Sequence, residues 1–564
     1  MSLAIHNRAG IYRPGQGPEI FLAHGRVFTP TDDSCHDLFR RLASDPQILN
    51  DLESDLSLAF YRPEDDSLIL IRDACGATPL FLAKTPEGDW GLAFTLADLF
   101  NLLGRVPDIN EETFYDFLAT HYRYIFREPQ RTFHRGVIQI PAGHYAVINR
   151  HGLSVKPWLK LTFDPEASKM DISEAGQKYL TLLKENVRWR LQALSPENLA
   201  FSISSGMDSS TVASLAASII GPVETWFMAY KDQAHSPYDE TKGVKALIQD
   251  KGWTLNRLSL SSPDLLKETS SLLAKTRAPI ITVTWLAHYV LAKAAAQTGY
   301  KFLFSGLGGD ESLAGEFEHF FLFFADLKSR GQTDLLNEET RAWIKLHDHR
   351  VFKKSPQVRD DWFDRNLDFK SGEIKVDQIR YQAYRRFFEP GWVEALEKRI
   401  PPPPMPRPYP YFLSNRLYQE MNYETSPPTL WSETLSSQAG GIKGIFPMAS
   451  PRLFRLALSL PGTFKYRNGV TKMFLRLATR DLLPDSTRLN PVKTGFNAPL
   501  DLWLQDYRLA KEVLDLLTDG PLCRLGWLKK GAPEELVTAH LKGEANYMML
   551  LWPLIVTSLF LEGK

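Results

Sequence analysis

Two segments of the chain carry small, hydroxyl and acidic residues in patterns that can bind a phosphate group. In the first, Phe201–Ser210 (FSISSGMDSS), a short apolar strand runs into a turn of small residues and then into a helix. Such a turn leaves backbone N–H groups available at the start of the helix, and Gly206 lets a ligand approach the backbone closely. On its own the segment could also be a capped strand–helix junction, and the Walker pattern is absent. The predicted phosphate-binding residues are Ser204, Ser205, Gly206, Ser209 and Ser210.

The second segment, Ser305–Glu316 (SGLGGDESLAGE), places three glycines within five residues. This spacing favours close approach of the backbone to a nucleotide. Asp310 then begins the next helix, where its carboxylate can cap the helix or bind a metal, and Asp208 holds the equivalent position in the first segment. We therefore predict that Asp208 and Asp310 bind Mg²⁺. Ser305, Gly306 and Gly308 are predicted to contact the nucleotide.

Alternating strands and helices are predicted to position both segments. This alternation is typical of βαβ units with right-handed crossovers, and it predicts a parallel sheet covered on both faces. Ligands of such sheets bind beyond the carboxyl ends of the strands, where both segments lie. The predicted strands are Asn198–Ile203, Val223–Tyr230, Leu255–Leu260 and Lys301–Phe304. The predicted helices are Ile172–Leu194, Asp208–Ile219, Tyr238–Asp250, Leu265–Lys275 and Trp285–Thr298.

The first 160 residues follow a different pattern, in which short apolar runs alternate with turn signals. They predict a β-rich layer with two flanking helices, Cys35–Ala43 and Glu111–Thr120. The predicted strands are Glu19–Ala23, Leu56–Tyr61, Ser67–Arg72, Trp90–Phe94 and His144–Ile148. We expect domains at 1–160 and 176–564, joined by a linker at 161–175.

Composition narrows the class of protein. The 564 residues include 66 basic and 66 acidic side chains, so a nucleic-acid partner is not favoured. The cysteines are Cys35, Cys75 and Cys523, which lie far apart and indicate a reducing compartment. The N-terminus lacks a signal-peptide core, and the sequence lacks an apolar run long enough to span a membrane. We expect a cytoplasmic enzyme, and the sequence leaves its oligomeric state open.

The first segment resembles the S-G-G-x-D-S pyrophosphate loop of ATP pyrophosphatases, in the form found in the asparagine synthetase family. Ser204, Gly206, Asp208 and Ser209 match that loop, whereas Ser205 replaces its first glycine. The second segment is similar to the family's S-G-E-G-x-D-E-L-F-G-G. Its matching residues are Ser305, Gly306, Gly308, Asp310, Glu311 and Gly315.

Further resemblance lies in the C-terminal part. Lys472–Arg476 (KMFLR) is similar to the family's K-x-x-L-R helix, and Arg488–Phe496 (RLNPVKTGF) resembles its R-x-x-K-x-x-F loop. The resemblance implies that Lys493 stabilises an adenylated intermediate and pyrophosphate, and it places Lys472 and Met228 at the nucleotide. It implies a catalytic set of Lys493, Asp208 and Asp310 acting with ATP and Mg²⁺ in a parallel-sheet, adenine-nucleotide α-hydrolase-like synthetase domain with a helical C-terminal part.

The N-terminal part resembles the glutaminase domain of the same family, an N-terminal-nucleophile (Ntn) α+β fold. Arg72, Asp73, Gly76, Pro79 and Leu80 match its R-D-x-x-G-x-x-P-L turn. Family glutaminases use a cysteine at position 2, where this chain has serine, and a hydroxyl is much harder to activate than a thiol. The glutamine-holding N-G-E segment is also not evident. We expect this fold to be retained without glutaminase activity.

Leu307 replaces the residue that handles the amine in relatives. Asparagine synthetases carry a catalytic glutamate at this position, and β-lactam and carbapenam synthetases carry a tyrosine of a base dyad. Leucine performs no proton chemistry. By elimination the sequence resembles a lasso peptide cyclase, which adenylates an Asp or Glu side chain of a precursor peptide and closes a macrolactam onto its N-terminal amine. Such enzymes work beside a leader-peptide-binding protein and a peptidase.

Two alternatives remain open. One is a small-molecule amide or β-lactam synthetase, or an ammonia-dependent asparagine synthetase-like enzyme, and the other is a non-catalytic scaffold. The general base is not identified by the sequence. His347, Asp348 and His349 form a polar cluster whose expected place is a helix surface, with a role as base as the alternative. The proline-rich segment Pro401–Pro410 is predicted to be an extended loop.

Overall fold

The computed structural model describes residues 9–12, 20–29, 35–119, 122–125, 128–231, 236–346, 354–375, 384–397, 405–491 and 497–563. Ser2, the cluster His347–His349, Pro401–Pro404 and Lys493 lie outside these residues, so the predictions made for them stay predictions. None of the helices within the described residues is long and apolar enough to cross a membrane.

Within its described residues, the N-terminal part contains nine strands in two antiparallel sheets. Its strands are β1 (Ala9–Tyr12), β2 (Ile20–His24), β3 (Ser57–Arg62), β4 (Ser67–Arg72), β5 (Phe81–Lys84), β6 (Trp90–Ala93), β7 (Val137–Gln139), β8 (His144–Asn149) and β9 (Gly152–Pro157). One sheet has the order β1-β6-β5-β7 and the other has the order β2-β3-β4-β8-β9. The second is flanked by helix α1 (Cys35–Ser44), and the first by α2 (Leu96–Leu103) and α3 (Glu111–Ala119).

The alternation of side chains along β3 and β4 explains this layered arrangement. Successive residues of a strand point to opposite faces of the sheet. Leu58 and Ile69 pack in the core beneath α1, whereas Ala59 and Leu70 pack between the two sheets. Both faces of the sheet are therefore buried, which confirms the glutamine amidotransferase-like α+β fold expected from the sequence.

The second part is organised around a parallel sheet. Its strands are β10 (Leu199–Ser202), β11 (Glu224–Tyr230), β12 (Thr254–Leu260), β13 (Phe302–Phe304) and, further along the chain, Lys443–Ile445. The order β12-β11-β10-β13 is completed by the strand Lys443–Ile445, and every neighbouring pair is parallel. The order reverses between β10 and β13, and the crevice at such a switch point is where ligands bind in open α/β sheets.

Helices cover both faces of this sheet. Phe201 and Phe304 pack on one face and Ala200 and Leu303 on the other, so the strands are buried on both sides. The covering helices are α4 (Ile172–Gln192), α5 (Met207–Ile220), α6 (Thr241–Lys251), α7 (Leu265–Thr276) and α8 (Thr284–Gln297). The parallel-sheet fold predicted from the sequence is confirmed.

The rest of the chain is largely helical, as predicted for the C-terminal part. Its helices are Gly309–Leu313, His319–Ser329, Thr333–Leu346, Pro356–Asn366, Pro390–Glu397, Phe412–Asn422, Ser426–Gly440, Pro451–Ser459, Gly462–Lys465, Met473–Ala478, Asp485–Arg488, Leu500–Trp503, Tyr507–Thr518, Pro521–Arg524, Ala532–Leu541 and Met548–Glu562. Short paired strands lie at Leu367–Asp368 with Glu373–Ile374 and at Tyr466–Arg467 with Val470–Thr471. Short 3₁₀ helices lie at Pro46–Asp51, Pro63–Asp65, Tyr122–Tyr124, Ala167–Lys169, Pro196–Asn198 and Ser262–Asp264.

Candidate active site

The turn after β10 is held in place by its own serines. The backbone N–H of Ser204 donates to Oγ of Ser209 at 3.1 Å, and the two hydroxyl oxygens lie 2.9 Å apart. The N–H of Gly206 donates to Oγ of Ser204 at 3.2 Å, and Ser210 donates back to the carbonyl of Gly206. These bonds set the turn at the N-terminus of α5, where the helix dipole and backbone N–H groups favour an anion.

Ser205, which departs from the family pattern, has a partner of its own. Its hydroxyl donates to Oε1 of Glu240 at 2.8 Å, and its backbone N–H approaches the same oxygen at 3.3 Å. Glu240 is buried, and a methyl group on nearby Gly243 would lie 2.6 Å from Cβ of Ser205. The serine side chain is thus packed against α6 and anchors the turn to the start of that helix.

The glycines of the second segment bring its turn against the first. A methyl group on Gly306 would lie 2.7 Å from Cβ of Asp208, and one on Gly309 would lie 2.7 Å from its Oδ1. Contacts this short are not compatible with a side chain, so only glycine lets the two turns pack so closely. Gly308, at φ 98°, packs instead against the backbone of Ala449. The second turn is therefore shaped around the carboxylate of Asp208.

Lys472 joins the two acidic residues. Its ammonium lies 2.5 Å from Oδ2 of Asp208 and 2.6 Å from Oδ1 of Asp310, and its side chain is 7% exposed. Its backbone is left-handed (φ 58°, ψ 33°), a conformation that costs a non-glycine residue roughly 1–3 kcal/mol. A residue held in this conformation by its surroundings is a marker of a functional site. The structure thus brings three predicted site residues to one point.

These three residues line a cavity of about 270 Å³ at the carboxyl edge of the parallel sheet. Its floor is the first turn, and further walls come from α8 and from the segments before and after Met473–Ala478. The lining residues are Ser202, Ile203, Ser204, Ser205, Gly206, Met207, Asp208, Ser209, Thr284, Trp285, His288, Ser305, Gly306, Leu307, Asp310, Glu316, Thr471, Lys472, Arg476, Thr487, Asn490 and Asn497.

Most of the predicted site residues lie on this wall, and a few do not. Met228 is buried in the core of the sheet, Ser210 is turned into the first turn of α5, and Gly308 is packed against Ala449. None of these three is among the lining residues. Lys493 belongs to the part of the chain between two cavity residues, Asn490 and Asn497, that the structure does not describe.

Arg476 supplies a second cation to the wall. Burial lowers the pKa of its guanidinium to about 10, so it stays protonated at neutral pH. Its Nε donates to the carbonyl of Thr471 at 2.7 Å, and a second nitrogen donates to the carbonyl of Arg488. These backbone bonds fix the positive charge at the cavity that the first turn also lines, where it can attract an anionic ligand.

Sequence reasoning did not find two side chains on the α8 wall, Trp285 and His288. Nδ1 of His288 lies 2.9 Å from Oε2 of Glu433, and the ring centroids of Trp285 and His288 are 4.9 Å apart. Glu433 lies 145 positions away in the sequence, on the helix Ser426–Gly440 that packs on α8. A lone histidine inside a predicted helix carries no local signal of such a pairing.

The carboxylates of Asp208 and Asp310 fit a Mg²⁺ ion that binds together with the phosphates of ATP. Mg²⁺ is usually held by one or two carboxylates and completes its shell with water and phosphate oxygens. Within the described ranges no cluster of three or more His, Cys, Asp or Glu side chains could hold a metal by itself. Asp208 and Asp310 would hold the ion, which would neutralise charge on a pyrophosphate leaving group.

The arrangement defines a class of enzyme, the AMP-forming carbon–nitrogen ligases, in which a nucleotide site at the switch point of an α/β sheet activates a carboxylate. The chain belongs to the asparagine synthase family. The family model described as "Asparagine synthase" matches residues 178–562, which is more than half of the chain. A second model, described as "Glutamine amidotransferase domain", matches residues 37–159. The protein is therefore an ATP-dependent enzyme of amide-bond formation.

One curated relative is similar over most of the chain. "Asparagine synthetase [glutamine-hydrolyzing] 1" of Bacillus subtilis (strain 168) is 19% identical over 518 residues, which covers 90% of this chain and 77% of the relative. Two solved structures are similar over a smaller part, and the chain spans about half of their lengths or less. One is glutamine phosphoribosylpyrophosphate amidotransferase from B. subtilis complexed with ADP and GMP, at 12% identity, 36% and 44% coverage and a TM-score of 0.16. The other is titled as the allosteric regulatory enzyme of purine biosynthesis, at 8% identity, 41% and 51% coverage and a TM-score of 0.15. Scores this low support no argument about this chain.

Proposed function

We propose that this ligase adenylates a side-chain carboxylate of a precursor peptide and closes a macrolactam onto the amine of the same peptide, with Mg·ATP as the co-substrate. The carboxylate attacks the α-phosphorus of ATP and pyrophosphate leaves. The peptide amine then attacks the acyl carbon and AMP leaves. Asp208 and Asp310 bind Mg²⁺ in this account, and Lys472, Arg476 and Lys493 neutralise the phosphates.

The walls of the cavity support the adenylation half of this proposal. Pyrophosphate must be held by N–H and hydroxyl donors and by cations as it leaves. The first backbone N–H groups of α5, which have no partner within the helix, and the hydroxyl groups of Ser204 and Ser209 are suited to this task, and Lys472 and Arg476 line the same cavity. A preorganised donor of this kind typically contributes roughly 3–4 kcal/mol at the transition state.

The observation that supports a peptide substrate is the presence of Leu307 in the cavity wall. This leucine lines the cavity at the position where asparagine synthetases carry a catalytic glutamate, and its side chain packs with apolar residues of two neighbouring cores. An apolar wall at this position favours a carboxylate substrate other than free aspartate and a nucleophile other than ammonia. Lasso peptide cyclases join a carboxylate to an amine without glutamine, and the elimination of the glutamine- and ammonia-dependent relatives supports this proposal.

The proposal brings further expectations about partners and place. A cyclase of this type works with a leader-peptide-binding protein and a peptidase, and we expect it in the cytoplasm because the three cysteines of the sequence are few and far apart. A small-molecule amide synthetase would share the nucleotide site and differ in the molecules that it joins. A test of which substrates the enzyme accepts therefore distinguishes it from a peptide cyclase.

The experiment is an ATP–pyrophosphate exchange assay with two panels of carboxylates. One panel contains synthetic linear peptides with a free N-terminal amine and one internal Asp or Glu, moved stepwise along the chain. The other contains free amino acids, including aspartate. Products are analysed by mass spectrometry for loss of water and release of AMP. We expect exchange and cyclisation with a subset of the peptides and no exchange with free aspartate.

The matched control is the same peptide with an acetylated N-terminus, which keeps the carboxylate and removes the nucleophile. It should support exchange and give no cyclic product. Exchange with aspartate, asparagine formation from ammonium and no exchange with any peptide would contradict the cyclase proposal. The variant Asp208→Asn should lose exchange with every carboxylate, which shows that the activity belongs to this site.

A further inference from the structure

A buried histidine–carboxylate pair lies at the wall of the cavity. His288 is on α8, one turn after Trp285, and it lines the cavity. Oε2 of Glu433, on the helix Ser426–Gly440, lies 2.9 Å from Nδ1 of His288, and the two side chains are 1% and 11% exposed, respectively. The other carboxylate oxygen of Glu433 accepts a hydrogen bond from Ser437 at 2.8 Å. Each oxygen of the carboxylate therefore lies close to one polar group.

The close contact favours one tautomer of the imidazole. An ionised carboxylate only accepts hydrogen bonds, so a proton on Nδ1 of His288, 2.9 Å from Oε2 of Glu433, is stabilised by the negative charge of that carboxylate. The lone pair is then on Nε2, which is the form of histidine that can accept a proton from a substrate. A carboxylate that holds a catalytic imidazole in the correct tautomer is a recurrent arrangement in enzymes.

The other polar groups on the wall are suited to different tasks. Asp208 and Asp310 are both paired with Lys472, and Arg476 is a cation. Glu316 is the remaining carboxylate among the described residues of the wall, and a carboxylate is a weaker proton acceptor at neutral pH than an imidazole. Leu307, which also lines the cavity, offers no proton chemistry.

We infer that His288 is the catalytic base of acyl transfer and that Glu433 is its positioning residue. This inference rests on the proposed function, since it needs an amine that attacks an acyl-adenylate. The amine nitrogen forms the C–N bond to the acyl carbon, and the C–O bond to AMP breaks with its electron pair leaving on AMP. The proton lost by the nitrogen passes to Nε2 of His288, and Glu433 stabilises the resulting imidazolium.

The test separates the two half-reactions in one enzyme. ATP–pyrophosphate exchange reports adenylation, amide formation reports acyl transfer, and hydroxylamine replaces the amine by a nucleophile that is already deprotonated at neutral pH. The variants are His288→Ala and His288→Asn, so that one unstable protein does not decide the result. The assay uses the carboxylate substrate that supports exchange in the wild-type enzyme. This substrate is either a linear peptide, which carries its own amine, or free aspartate, which is supplied with ammonium.

For both His288 variants we expect exchange and hydroxamate formation near the wild-type rates, whereas amide formation falls by about 10²–10⁴-fold. Glu433→Gln should lower the turnover rate of amide formation in the same selective way, and Glu433→Asp should restore part of it. A structural role of the pair would lower all three readouts together, and the conservative variant would restore them together.

The control is His540→Asn. His540 is also buried and bonds the carbonyl of Asp501 at 2.9 Å, and it does not line the cavity. It should leave the ratio of amide formation to exchange unchanged. The inference is overturned if that ratio is also unchanged in the His288 variants, or if Glu316→Gln alone abolishes amide formation while His288→Ala retains it. Failure of the cyclase proposal appears separately, as a wild-type enzyme that exchanges only with free aspartate.

Discussion

The ammonium of Lys472 lies 2.5 Å from Oδ2 of Asp208, although the two residues are 264 positions apart in the sequence. The same ammonium contacts Asp310 at 2.6 Å. It therefore compensates two carboxylates from two different turns at the end of the parallel sheet. Leaving buried charges uncompensated is costly, so this ion pair holds the site together as well as presenting a cation to it.

We predict that Lys472→Met lowers the rate of ATP–pyrophosphate exchange by about two to three orders of magnitude, because a cation facing the phosphates is lost. The exposed Lys370→Met is the matched control and should exchange at the wild-type rate. Wild-type exchange in the Lys472 variant would mean that this lysine only stabilises the fold.

The glycines of the second turn give a steric prediction. In Gly306→Ala the added methyl group would lie 2.7 Å from Cβ of Asp208, so the two turns must move apart. We expect exchange to fall by about two orders of magnitude, since small displacements of positioned groups cost this much. The control is Gly391→Ala, where the methyl group meets no atom within 4 Å. Equal activity of the two variants would show that the packing of the turns is not required.

Lys493 gives a prediction that comes from the sequence. Lys493→Met is expected to lower the exchange rate by about two to three orders of magnitude, as for an electrostatic donor at the transition state. A solvated surface lysine would instead cost less than about 0.5 kcal/mol of stability and leave exchange intact. Measuring exchange and the thermal midpoint of the same preparation separates the two outcomes.

A buried charge network predicts how stability depends on pH. Burial alone would raise the pKa of Glu420, but the charges of His319, Arg416 and Arg123 and a hydrogen bond from His319 hold that pKa well below its ordinary value of 4.5. A depressed pKa in the folded state contributes stability above pH 4.5 that is lost as the pH falls toward the folded pKa. Calorimetry should therefore show the midpoint falling as the pH drops below about 5.

Glu420→Gln should be less stable than the wild type at pH 7 by about 3–5 kcal/mol, because Arg416 loses a buried partner. It should also lose part of the acid dependence of the midpoint. The exposed Glu87→Gln should behave as the wild type at every pH. An acid profile in Glu420→Gln that parallels the wild type would place the responsible groups elsewhere.

Local patterns were sufficient to predict much of the fold. The apolar run with turn residues on both sides gave strand Ser67–Arg72 with its observed bounds, and the helix predicted at Asp208–Ile219 is observed at Met207–Ile220. The meeting of the two turns followed from the rule that parallel strands end at one edge. Short strands such as Phe81–Lys84 and the half-exposed edge strand Gly152–Pro157 were missed, because their apolar patterns are brief or incomplete.

The site was predicted in part, for a related reason. The turns carry local signals, namely serines, glycines and an aspartate before a helix, and these residues do line the cavity. The pairing of His288 with Glu433 and the contact of Lys472 with both aspartates depend on packing between distant helices. Only the folded chain reveals such contacts. Met228, predicted to contact the nucleotide, lies in the core where β11 is covered by helices and does not line the cavity, and its contact with a nucleotide stays a prediction.

The central claim is that the cavity around Asp208, Asp310 and Lys472 activates a carboxylate by adenylation. The most direct measurement uses a carboxylate substrate labelled with ¹⁸O in both oxygens, incubated with the enzyme and ATP, with the nucleotides and phosphates analysed by mass spectrometry. The account predicts one ¹⁸O atom in AMP and none in pyrophosphate, with the label absent from AMP in Asp208→Asn. Label in inorganic phosphate together with ADP, or amide product with unlabelled AMP, would contradict it.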